Sequence, residues 1–112
     1  MLNVWSLPKS DSIKLLLLVL QQQLGRDSFC IESEEDNGVF AIVLVKPEQP
    51  DVRCYVYTHG QRENHYGIHL EYPRFAENKY IETLQVYENL SMTQIVDTVA
   101  IHFEVENDVA AV

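Results

Sequence analysis

Basic residues are scarce in this chain: eight Lys and Arg stand against seventeen Asp and Glu, for a net charge of −9. The eight (Lys9, Lys14, Arg26, Lys46, Arg53, Arg62, Arg74 and Lys79) are scattered, so no positive stripe is available for nucleic acid or an anionic membrane. Neutral ligands, cations and basic protein surfaces are the electrostatically easier partners. Cysteine is also rare. Two in 112 residues cannot build a disulfide framework and point to a reducing compartment, the cytoplasm. The longest aliphatic run, Leu15 to Leu20, is too short to span a bilayer, and Gln21, Gln22 and Gln23 follow it where a signal peptide would carry small residues. No repeat, low-complexity tract or interior linker divides the chain. One domain over residues 1–112 is expected, its acidic end, 105–112, fraying. At 46% hydrophobic it can bury a core without metal, cofactor or disulfide. No stretch carries a motif with chemical specificity.

What the sequence does contain is a nine-residue apolar stretch, Gly38 to Lys46. Val39, Ile42, Val43 and Val45 are β-branched and Asn37-Gly38 stands before them, which favours strand over helix. Phe40, Ile42 and Leu44 point one way, Val39, Ala41, Val43 and Val45 the other. Both sets are apolar, as in a strand covered on two faces.

The other elements are arranged around it. Leu7-Pro8 holds the backbone extended, Ser10, Asp11 or Ser12 caps a helix and Gly25 closes it, so helix one is about Ser12 to Leu24. Its stripe is Ile13, Leu16, Leu17, Leu20 and Leu24. Leu15, Leu18 and Val19 lie off the stripe, and call for a second helix or another chain beside them. Strand one is Ser28 to Glu34, and a two-residue turn at Asn37-Gly38 sets Ile31 opposite Leu44 and Phe29 opposite Lys46, with Phe40 on the core face. Pro47 to Pro50 ends strand two. Strand three is Val52 to Thr58 and strand four His65 to Tyr72. An odd loop, Gly60 to Asn64, keeps their apolar sets on one face and pairs Cys54 with Leu70, Tyr55 with His69 and Val56 with Ile68. Tyr80 to Glu88 fits either strand or helix by pattern and is taken as strand. Ser91 and Gln94 form a capping box, so helix two is Met92 to Phe103. The fold expected is α+β: a five-stranded antiparallel meander with the N- and C-terminal helices packed on one face, in the order α-β-β-β-β-β-α.

Such a fold leaves Val39, Ala41, Val43, Val45, Tyr55 and Tyr57 on the face away from the helices, an apolar patch of the kind that marks a binding surface. The function expected is a small acidic non-catalytic protein-binding module, of assembly-factor, chaperone or inhibitor/immunity type, using this aromatic and apolar face. Val43, Val45, Tyr55, Tyr57 and His69 are its interface candidates. Leu15 and Leu18 on helix one are a competing contact, and the partner is another protein or a second copy. The alternative is a small enzyme or ligand-binding domain with a pocket over Tyr55, Tyr57, His69 and Glu71, in which His59 or His69 works with Glu71 as acid and base. A metal site is not expected, because His65 and His69 are about 13 Å apart along a strand. Only His59 and His65, across the loop, are placed to share an ion. Cys30 and Cys54 fall on opposite faces, so both thiols are free. Glu32, Glu34, Glu35 and Asp36 make an acidic tip, either a solvated edge or a knob for a basic partner.

Overall fold

Helix α1 spans Asp11–Leu24 in the computed structural model, which describes residues 4–32, 38–73 and 81–105. Ser10 is the cap: its Oγ accepts from the Ile13 N–H at 3.4 Å. Gly25 ends the helix at φ +95, its N–H donating to the Gln21 carbonyl. The buried side chains are Ile13, Leu16, Leu17, Leu20 and Leu24, the stripe that the spacing defines. Helix α2, Met92–Phe103, begins with the full capping box of Ser91 and Gln94 and buries Ile95, Val96, Val99, Ala100, His102 and Phe103. The two helices touch. Leu18 and Val19 are partly buried against the core, whereas Leu15 stays 51% exposed.

Between the helices run five antiparallel strands that neighbour one another in chain order: β1 Cys30–Ile31, β2 Ala41–Lys46, β3 Gln49–Tyr57, β4 Tyr66–Pro73 and β5 Ile81–Leu90. Cys54, Tyr55 and Val56 pair with Leu70, His69 and Ile68, as side-chain parity requires. Ile31 lies opposite Leu44. Gly38 has a positive φ, +77°, but the two-residue turn expected at Asn37-Gly38 falls in part on residues outside the described ones. Asn37 itself lies outside the described residues, as do Ser33 to Asp36, Tyr80 and the tail from Glu106.

Several boundaries differ from the sequence reading, and three of the differences change what packs where. Strand β2 starts at Ala41 and not Gly38, and Phe40 is 56% exposed instead of facing the core. The segment's carbonyls are taken by a part of the chain distant in sequence. Ser10 donates its N–H to Val39 at 2.9 Å and Lys9 Nζ donates to Gly38 at 2.6 Å, which ties this segment to the start of α1. Strand β3 begins earlier, because Pro47 and Glu48 alone make the turn: Lys46 pairs with Gln49, and Glu48 adopts φ +67. Phe29 is not paired with Lys46; it leads out of a 3-10 turn, Arg26–Ser28, and is buried.

The core joins one face of the sheet to both helices. Ile42, Leu44, Cys54, Val56, Ile68 and Leu70 from the strands meet the α1 stripe and Ile95, Val96, Val99 and Phe103 of α2. Tyr66 bridges the layers: its hydroxyl donates to the Ser12 carbonyl at 2.8 Å, and burial pushes its pKa up. Among the described residues no helix is long and apolar enough to cross a membrane.

Candidate functional site

On the face away from the helices, β2 contributes Ala41, Val43 and Val45, β3 contributes Arg53, Tyr55 and Tyr57, and β4 contributes Gly67, His69 and Glu71. The register sets Tyr55 opposite Val43 and Tyr57 opposite Ala41, a ring beside each small aliphatic. Ala41 and Val43 are each only 1% exposed and Tyr57 is 5% exposed. A folded single chain therefore already dries part of the patch that the sequence leaves open. Val45, Tyr55 and His69 remain half-buried at the surface. Val86 joins them from β5, paired with His69 and 50% exposed.

Four rings form one connected cluster. Tyr55 lies 5.5 Å from both Tyr57 and His69, Tyr57 meets His69 edge to face at 5.2 Å, and His59 stacks on Tyr57 at 4.7 Å. Gly67 makes room for this arrangement, since a Cβ there would overlap the Tyr57 ring. The Tyr57 ring crosses β4 over that glycine and its hydroxyl meets Glu88 on β5. Burial first, then the Glu88 charge and hydrogen bond, raise its pKa. Gln61 Nε2 also donates to Glu88, at 2.7 Å, and Asn89 Oδ1 accepts from the Arg62 N–H at 2.7 Å. The β3–β4 loop is thereby fastened to β5, and the cluster sits on a rigid base.

Arg53 Nε lies 3.1 Å from a Glu71 oxygen and Arg53 Nη1 lies 3.1 Å from Glu32, so the Glu71 carboxylate is held by a cation. His59 and His69 pack on tyrosine rings, and His65 Nδ1 lies 2.7 Å from the Glu63 carbonyl. Among the described residues no group of three His, Cys, Asp or Glu is placed to hold a metal. Both cysteines are free, Cys30 exposed and Cys54 buried, and they sit on opposite faces, opposite Val45 and Leu44 of β2. Burial, with the Glu71 charge second, holds the Cys54 thiol far above its ordinary pKa, so it stays protonated and unreactive.

A concavity lies on the helix side, between α2 and β5, with a volume of about 160 Å³. Leu70, Tyr72 and His102 line it together with Tyr87, Thr98 and Ile101. None of these was a site candidate by sequence. The available signal was Ile101, an isoleucine outside the buried set of an otherwise regular amphipathic helix, and 78% exposed. No family model, no curated protein and no solved structure matches this chain.

Proposed function

We propose that this protein is a small acidic, non-catalytic protein-binding module of the cytoplasm, of assembly-factor, chaperone or inhibitor/immunity type. Its contact surface is the sheet face of Val45, Tyr55, His69 and Val86. The observation that carries this reading is the connected cluster of Tyr55, Tyr57, His59 and His69, braced from β3 to β5. Tyrosines held in place by packing offer large contact area and lose little side-chain entropy on binding, which is why interfaces are enriched in them. A second copy is the simplest occupant, because a two-fold axis through the face needs one self-complementary patch.

Light scattering on the wild type, Tyr55→Lys and Leu15→Lys tests it. A dimeric wild type is expected, with Tyr55→Lys weakening association by roughly thirty-fold if this ring anchors the interface. A monomeric wild type removes the homodimer. A dimer broken by Leu15→Lys and not by Tyr55→Lys moves the interface to α1. Val43 is no use as a probe, because at 1% exposure a lysine there would disrupt the fold itself.

A further inference from the structure

We infer that the groove between α2 and β5 is a separate docking site, and that it takes a basic segment of a partner protein: one apolar side chain inserted in the groove, flanked by Lys or Arg. The size of the groove sets the anchor. Its volume of about 160 Å³ matches the roughly 150 Å³ that accommodates a single benzene ring. One leucine, isoleucine or phenylalanine side chain fits. The floor is buried and mixed in character, an aliphatic Leu70 at 5% exposed beside the imidazole of His102 at 4%, while Tyr87 at 41% and Ile101 at 78% stand open at the rim. Of the exposed large apolar side chains described, Ile101 is the most open.

Charge sets the flanks. From Ile81 to Val105 the chain has no Lys or Arg; Glu88 faces the other side of the sheet, against Tyr57 and Gln61, so the carboxylates on the groove's side are those that α2 places, Asp97 and Glu104. Both walls of the groove, β5 and α2, belong to this stretch. Asp97 precedes Ile101 by one helical turn and shares its side of α2. Lys46 reaches Glu104 at 3.6 Å, but the Glu104 side chain keeps 82% of its surface exposed. The rings of Tyr72 and Tyr87 add faces on which Arg or Lys can lie. A second copy would bring the same α2 carboxylates against themselves, which disfavours self-association here. Strand addition is disfavoured too, because the β4–β5 register shifts twice and a bulged edge is a poor template for another strand. The occupant therefore contributes side chains and charge.

The experiment is selection of random phage-displayed peptides on the full chain, followed by fluorescence-anisotropy titration of the enriched sequences. The expected consensus is an apolar residue flanked by Lys or Arg. Ile101→Asp and Ile101→Ser, both at an exposed position, should weaken binding by about ten-fold or more, and Asp97→Lys by about two- to five-fold. Tyr55→Lys should leave it unchanged, which separates this site from the sheet face. The inference is overturned by absence of any enriched binder, by a consensus without basic residues, or by binding that survives Ile101→Asp and fails in Tyr55→Lys. A wild-type dimer dissolved by Ile101→Asp also overturns it, by putting a second copy in the groove.

Discussion

Gly67 and Tyr57 show how one residue's absence of a side chain positions another's ring. The glycine has no unusual backbone angle; what it supplies is space, because any Cβ would enter the Tyr57 ring. Gly67→Ala should destabilise the fold by about 1–3 kcal/mol through overpacking, read from the urea midpoint. The same change in a Tyr57→Ala background should cost much less, and a double-mutant cycle measures the difference. His102 is the other residue whose surroundings dictate behaviour. It is the buried polar residue of the described core, its Nε2 lies 2.7 Å from the Arg53 carbonyl, and its Nδ1 has no hydrogen-bond partner among the described residues. A carbonyl only accepts, so Nε2 carries the proton. Burial, helped by Lys46, lowers the pKa, while the carbonyls of Arg53 and Glu71 oppose the shift without reversing it. Since the folded pKa lies below the unfolded value of about 6.5, the unfolded chain binds the extra proton first. His102 therefore supports stability above that pH, and the support is lost as pH falls from there toward the folded pKa. Urea midpoints at pH 7.5 and 5.5 should differ less in His102→Gln than in the wild type, and an equal difference would remove His102 as the cause.

At the scale of elements, the helices were legible because their signals are local. The α2 cap needs only Ser91 and Gln94, three residues apart, and both reciprocal hydrogen bonds form, at 2.9 and 3.2 Å. Ser91→Ala should lower stability by about 1 kcal/mol, with the urea slope unchanged; no shift in midpoint would mean that tertiary packing alone holds that end. The register of β3 on β4 was equally legible, since a slip by one residue would turn Val56 and Ile68 out of the core. Strand β2 was misjudged at its start because carbonyls at Gly38 and Val39 are claimed by Lys9 and Ser10, nearly thirty positions earlier in sequence. Nothing in the local pattern of Val39 and Phe40 reveals that competition. The bulges of β5 are likewise set by its neighbour and by Asn89, whose φ is +54.

For the whole molecule, the net charge of −9 gives the two proposed surfaces opposite responses to salt. Copies of one acidic chain repel, so association through the sheet face should strengthen between about 0.05 and 0.5 M salt as that repulsion is screened. A basic peptide in the α2–β5 groove is attracted, so its affinity should fall over the same range. Light scattering and anisotropy across one salt series check both signs. A common direction would mean that one surface has been assigned the wrong partner chemistry.

The amino-acid sequence by itself determined the α+β order, the stripe of α1, the cap of α2, the β3–β4 register and the separation of Cys30 from Cys54, because each follows from short-range periodicity or parity. Only the tertiary structure decided that Val43 is dry in a single chain, that Tyr57 lies across Gly67, that Arg53 holds Glu71, and that α2 leaves a groove beside β5. Those outcomes depend on which side chains, distant in sequence, compete for the same volume or the same charge, and periodicity carries no record of that competition.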